Sequence, residues 1–397
     1  MVTMPRTDLT DPAFWARPPQ DRLDAFRALR RLDAPVYFPE HQGGFHALVR
    51  HAHVVHASRH PELFISGSGV TTPRPARWVR TVFGDSMVNL DDPRHARLRG
   101  VVSRAFTPRV LARISADVER VAATIADRVA ADRPADFVTA VAGPMPLEVI
   151  CSMMGVPETE RRALLAQVDH ATAGSGTRRR LRVPGKSLRG LARLHTVMAK
   201  VARQRRREPA DDLITALVSA DLGARELGAF FSLLLVAGVE TTRNAIAHAL
   251  HLLTTHPDQR DLLASDVEQY GAGFVDEVVR FSSPIVQFRR TVAADCELDG
   301  HPLRAGDDVV LFYASANRDE AVFTDPDAFD LTRRPNPHVG FGGGGPHFCL
   351  GTSLARQEMT VLFTELFARF PAIRSVGPPE PVPSSFDNRV RRLGFTF

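Results

Sequence analysis

Phe341-Gly342-Gly343-Gly344-Gly345-Pro346-His347-Phe348-Cys349-Leu350-Gly351 is the segment whose residue types and spacing could do chemistry. A glycine run alone could cradle a phosphate, and a lone buried cysteine is usually an inert small hydrophobe. Neither reading accounts for the whole segment. Four glycines just ahead of one cysteine, at the expected mouth of a helix, let the backbone turn tightly. They bring amide N–H groups toward the sulfur and leave room for a flat cofactor. Such N–H groups and the helix N-terminus stabilise a thiolate, the form of cysteine that binds metals. A phosphate loop would carry Lys-Ser/Thr after the glycines, where this chain has His-Phe-Cys.

Further groups combine charge with helical spacing. Glu277 and Arg280 lie at i and i+3, on one helical face, where they can pair. Alone, that is a common surface pair. His95 and Arg99 lie four apart, just after Pro93 at a position suited to the first turn of a helix. A solvated charged face is the default for them. Ala237-Gly238-Val239-Glu240-Thr241-Thr242 places small residues, an acid and a hydroxyl inside an apolar stretch. A threonine there can simply bond back to a carbonyl, but burying Glu240 on so apolar a helix is costly without a purpose.

These residues need elements to hold them. Before residue 90 the pattern predicts a helix over 21–31 and strands over 36–38 and 45–49, joined as a hairpin through Gly43-Gly44. From about 93 to 270 it turns helical, with apolar residues recurring at three and four in 111–129, 147–154, 191–201 and 227–253. The last run far exceeds the ordinary helix of about 11–12 residues and is apolar all round, so it belongs in the middle of the molecule. After Pro284, residues 291–298 and 309–313 predict strands, with a hairpin signal at Asp299-Gly300. A Pro/Gly-rich irregular stretch over 325–346 precedes a helix over 350–370 and a short β segment over 381–397. The expected architecture is mainly α, with a small β portion split between the two ends of the chain. Because those β pieces are expected to meet, 1–397 is read as a single domain.

Together, these segments resemble the cytochrome P450 family from about residue 21 to 397. The Cys349 segment is similar to the family's haem-binding loop, whose cysteine thiolate is the proximal ligand of haem iron. Phe341 lies eight residues before Cys349, one more than in the commonest spelling, so the loop must absorb an extra glycine. Glu277 and Arg280 resemble the family's Glu-x-x-Arg helix, with Arg333 as third partner in a buried network supporting that loop. The resemblance implies a P450 fold, a long central helix over the haem, and haem b (iron protoporphyrin IX) as cofactor. It implies Cys349 as the metal ligand, with Phe341, His347, Gly351, Ala237 and Gly238 against the cofactor. His95, Arg99, Arg290 and His347 would hold the propionates, and Glu240 and Thr241 would be the acid and alcohol of the oxygen-activating turn. By family position Val82, Phe83, Val88, Phe231, Leu234, Ala237, Ile285, Val286 and Phe386 line an apolar substrate pocket. Arg389 lies near the tip of a C-terminal loop that enters it.

The implied activity is haem-thiolate monooxygenation, hydroxylating a hydrophobic small molecule such as a natural-product intermediate, lipid or steroid. Residues 86–99 and 284–290 are similar to actinobacterial members that oxidise sterol side chains and methyl-branched lipids. Electrons are expected from a separate iron–sulfur ferredoxin and its flavin, NAD(P)H-dependent reductase. In the family an acidic ferredoxin docks near the cysteine, and transfer by such docking slows as ionic strength rises. Other readings stay open: a substrate bound to an acidic carrier protein and recognised by Arg389 or by the arginines of 178–182, or a non-catalytic haem-thiolate sensor. A peroxide-driven enzyme is disfavoured, since such members commonly lack the acid–alcohol pair.

Composition sets the outer bounds. With 397 residues, 44 % hydrophobic and 24 % charged, the chain is globular and neither disordered nor collagen-like. The net charge of +5 comes almost wholly from scattered arginines, Lys186 and Lys200 being its only lysines, and makes no nucleic-acid module. Three cysteines, an odd number without metal-motif spacing, predict no disulfide framework and a reducing compartment. Residues 1–22 hold four prolines and no apolar run, so neither a signal peptide nor a membrane anchor is expected. The expectation is a cytoplasmic monomer.

Overall fold

The computed structural model describes residues 7–40, 43–71, 74, 86–105, 108–158, 161, 184–210, 212–220 and 222–397. Its principal helices are α1 (Pro19–Arg30), α2 (His51–Arg59), α3 (Arg94–Ala105), α4 (Pro108–Asp132), α5 (Pro144–Met153), α6 (Pro184–Arg207), α7 (Ala224–Leu233), α8 (Glu240–Thr255), α9 (Val267–Ser282) and α10 (Thr352–Arg369). The apolar run 227–253 becomes one rod, in which α7 and α8 are joined by a π-helical turn over Leu234–Val239. Gly238 sits in that turn because α5 crosses closely there. A Cβ at Gly238 would stand 2.5 Å from Ile150 Cδ1, a separation no real contact tolerates.

The rod is wrapped by α4, α5, α9 and α10. Their inward residues, among them Val118, Met145, Phe274 and Phe363, are fully buried with Ile246 of the rod in one apolar cluster. A second cluster under the sheet is aromatic: Trp15 stacks on Phe312 with ring centroids 6.2 Å apart.

The β pieces from the two ends do meet. β1 (Val36–Glu40) and β2 (Gly43–Leu48) form the expected hairpin, with Phe38 opposite Phe45. β2 then pairs in parallel with β7 (Asp308–Phe312), His46 opposite Val309, across most of the chain length. The five-stranded sheet is completed by β4 (Gln287–Val292) and β3 (Phe64–Ile65), in the order β1-β2-β7-β4-β3. The expected strand over 291–298 is broken. β4 ends at Val292, and β5 (Cys296–Leu298) turns through Asp299-Gly300 into β6 (His301–Leu303). Both turn residues have positive φ, 53° and 77°, as a tight two-residue hairpin requires. The C-terminal segment is likewise a hairpin, β8 (Arg374–Pro381) against β9 (Val390–Thr396).

One buried acid has a consequence for stability. Glu358 on α10 is 2 % exposed, and burial pushes its carboxyl up to about 8. The native chain then holds this proton in a pH range where the unfolded chain has released it. Its contribution is full below the unfolded value and is lost as pH rises toward 8. Glu358→Gln is expected to match wild type near about pH 3.5 and to unfold at a higher temperature than wild type near about pH 9, read by thermal denaturation at both.

Candidate active site

The site is built outward from a buried ion pair. On α9, Arg280 donates from Nη2 and Nε to Glu277 Oε1 and Oε2 at 2.7 and 2.8 Å. Both side chains are fully buried. Arg333 Nε adds a third contact to Glu277 Oε1 at 3.3 Å. The pair's remaining capacity is taken up locally: Glu277 accepts from the Asp330 N–H and Asn336 Nδ2, while Arg280 donates to the carbonyls of Asn317, Pro326 and Ala328. A buried charge pair holds only when its donors and acceptors are satisfied in this way.

Asn317 carries the network to the cysteine loop. Its side chain donates to Ser283 Oγ and accepts from the Val339 N–H at 2.8 Å. The loop itself is knotted by backbone bonds, Gly342 N–H to Val339 O at 2.8 Å and Cys349 N–H to Phe341 O at 2.9 Å. Gly342, Gly344 and Gly345 all have positive φ, which is how the extra glycine is absorbed. A Cβ on Gly345 would lie 2.1 Å from Ser58 O, so the loop packs flush on the end of α2. Phe341 is held beside His338 and beneath the Arg356 guanidinium, at 5.5 and 5.6 Å.

Cys349 is open to solvent while lying just before α10. Crowding by the surrounding loop desolvates the sulfur in part and pushes its thiol up, opposed by the Gly351 N–H, the Thr352 hydroxyl and the Arg99 charge. Its flanking side chains Phe348 and Leu350 are also open, at 38 % and 36 %, an apolar surface that a soluble protein rarely leaves bare.

Basic groups gather beside it. Arg99 Nη2 donates to Phe348 O at 2.7 Å, and the His95 ring lies 4.2 Å from that of His347. Arg290, on β4, is 6 % exposed. His347 is pushed down to about 3, by burial first and then by the charges of Arg290, His95 and Arg99. Among the described residues, neither Arg99 nor Arg290 has a carboxylate within ion-pair distance. The cluster therefore suits an external dianion.

On the rod, Val236 is 47 % exposed and Ala237 is open, although most of α8 is buried. Thr241 shares their face, its hydroxyl donating to Ala237 O at 2.5 Å. Glu240 turns elsewhere: it is 4 % exposed, with Arg243 Nη1 at 3.4 Å and Arg389 Nε at 3.6 Å.

The pocket expectations divide. Val82 and Phe83 lie outside the described residues, as do the arginines of 178–182. Val88, Leu234, Ile285 and Phe386 are half-buried, and Phe386 meets Phe288 at 5.5 Å. Phe231 and Val286 are packed in core clusters instead of lining an open surface. Val286 follows Pro284 into the sheet, where its side chain joins Trp15 and Phe312. Arg389 is not a free loop-tip cation, since Asp387 takes its Nη2 at 2.6 Å. Sequence reasoning gave no role to Asn317, Asn336, Arg243 or Asp387. Only Arg243, four residues from Val239 on an apolar helix, carried a signal of its own.

The donors fit one prosthetic group: a flat apolar macrocycle with two carboxylates and a metal that accepts sulfur, which is haem b. The protein class so defined is haem-thiolate, and a bound metal would deprotonate the thiol outright.

Comparison with known proteins places it further. The sequence model of the cytochrome P450 family matches residues 185–387. Methyl-branched lipid omega-hydroxylase of Mycobacterium tuberculosis is 42 % identical, covering 97 % of this chain and 93 % of the relative. Steroid C26-monooxygenase of the same species is 36 % identical, covering 98 % and 92 %. The structure of a Mycobacterium marinum cytochrome P450 in complex with pseudoionone superimposes with a TM-score of 0.92 at 38 % identity, covering 100 % of this chain and 98 % of that one. The chain belongs to the cytochrome P450 family and is a P450 monooxygenase. Among the described residues, no helix is long and apolar enough to cross a membrane.

Proposed function

We propose that this P450 hydroxylates an aliphatic position of a hydrophobic lipid or steroid, with a methyl-branched chain as the first candidate. The 42 % identity to a methyl-branched lipid omega-hydroxylase over nearly the whole chain carries this reading. The open apolar surface at Val236, Ala237, Phe348 and Leu350 agrees with it.

In this reading Cys349 ligates the iron, and His95, Arg99, Arg290 and His347 bind the propionates. When bound, the haem supplies dioxygen activation and oxygen transfer. The chain's own residues do the rest. Gly351 N–H and the Thr352 hydroxyl share the charge of the Cys349 sulfur. Thr241 can turn its hydroxyl from Ala237 O toward the open face, and Glu240, next to it, is the acid that replaces the proton it passes on. A separate ferredoxin is the proposed donor, and the exposed Arg59, which lies against Gly344 of the cysteine loop, suits an acidic partner.

The test is a titration of the haem-loaded protein with methyl-branched fatty acids, sterols and polyketides, followed by product analysis with a ferredoxin system. A low-to-high spin shift and hydroxylated product are expected for a lipid or steroid. Shifts confined to the polyketides would overturn the reading.

A further inference from the structure

The C-terminal loop between β8 and β9 is fastened to the rod at the level of Glu240. Val390 N–H donates to Asn244 Oδ1 at 3.2 Å, and His248 Nε2 lies 3.0 Å from Asn388 O. The same loop is tied to the chain leaving α9: Asn388 Nδ2 donates to Ser282 O and Ser283 O, and Val286 N–H donates to Phe386 O at 2.8 Å. Between these anchors Arg389 donates from Nη2 and Nε to Asp387 Oδ2 on its own loop, at 2.6 and 3.2 Å, and its Nε also stands 3.6 Å from Glu240 Oε2 on the rod, an ion pair longer than a hydrogen bond. Arg243 closes a quartet of two acids and two arginines whose side chains are 12 % exposed or less.

Glu240 is thus engaged by arginines on one side of the rod, while the Thr241 hydroxyl, on the next residue of the helix, bonds to Ala237 O. To serve Thr241 the acid must give up Arg389. Arg243 travels with Glu240 on the same helix, whereas Arg389 belongs to the loop that carries Phe386, a half-buried pocket candidate. We propose that Arg389 is a positioning residue: it latches Glu240 to the 384–390 loop, and a substrate that shifts Phe386 opens the latch, so that the acid is released when substrate is present. This rests on the monooxygenase reading above and adds a device to it.

The latch costs binding energy, because substrate must break it. By linkage, a chain without the latch binds the same substrate more tightly, whereas a merely structural defect would weaken binding. In the haem-loaded protein, Arg389→Gln and Glu240→Gln are each expected to lower the Kd of a spin-shifting substrate by at least about fivefold, the lower end of ordinary coupling between sites. The double variant should gain no more than either single one, and Arg389→Lys should stay near wild type. Amide exchange at Asn388 and Val390, measured without substrate, should quicken by a similar factor in both Gln variants and not in the Lys variant. Unchanged exchange, or a Kd that rises or stays the same in Arg389→Gln, overturns the latch. If no lipid or steroid shifts the wild-type spin state, the substrate reading fails, and the exchange measurement alone decides the latch.

Discussion

Arg280→Leu is expected to destabilise the protein by about 3–5 kcal/mol, the cost of stranding a buried charge. The acid left behind, Glu277, is fully buried, and its two closest contacts are the Arg280 bonds at 2.7 and 2.8 Å. Arg333 approaches the same carboxylate only at 3.3 Å and is itself engaged with the carbonyls of Thr324, Asp325 and Ala328. The loss is not confined to α9. Arg280 also fixes the carbonyl of Asn317, whose side chain positions Val339, and Val339 anchors the first turn of the cysteine loop. Weaker haem retention should therefore accompany the loss of stability. Chemical denaturation and the ratio of haem to protein after gel filtration read the two effects. A variant with wild-type stability and full haem content would show that the network does not support the loop.

Cys349→Ala is expected to leave the fold standing and abolish the chemistry. The residue is exposed, and the loop around it is held by backbone bonds that do not need the sulfur. Removing the side chain creates no buried cavity and strands no charge, so the melting temperature of the haem-free protein should stay close to wild type. Product formation should fall by more than about a hundredfold, beyond what loss of an outer-shell partner costs a metal site. The reduced carbonyl complex should also lose the red-shifted absorbance that thiolate ligation confers. Retention of that band would place the ligand elsewhere. Cys151 is no substitute: it is buried in α5, and its thiol is pushed up to about 12, which leaves it an inert core residue. Cys296 lies beside Asp295, on β5, and its thiol is raised as well.

Much of this was legible without coordinates, because the relevant physics is local. Four glycines before one cysteine can only be a tightly turning loop, and an apolar run from 227 to 253 can only be a buried helix. The i, i+3 spacing of Glu277 and Arg280 puts them on one face whatever surrounds them. The same local rules misplaced the strand over 291–298, since alternation says nothing about where a chain must bend to begin a second hairpin.

What only the tertiary structure decided was the partners of charges, because a side chain's partner depends on segments far away in sequence. Arg389 reads as a loop-tip cation by position, yet the loop folds back on the rod and gives it Glu240, 149 positions earlier, at 3.6 Å. Val286 reads as a pocket residue, yet the sheet draws it toward Trp15. Arg99, His95, Arg290 and His347 come from three separate elements, and nothing in their spacing shows that they converge, His95 with Asp92 at 3.5 Å but Arg99 and Arg290 with no carboxylate at ion-pair distance among the described residues. Sequence alone singled out Cys349 as the proposed iron ligand, the helix that carries Glu240 and Thr241, and the Glu277–Arg280 pair. Folding decided which of those charges are already spoken for and which are left to hold a cofactor.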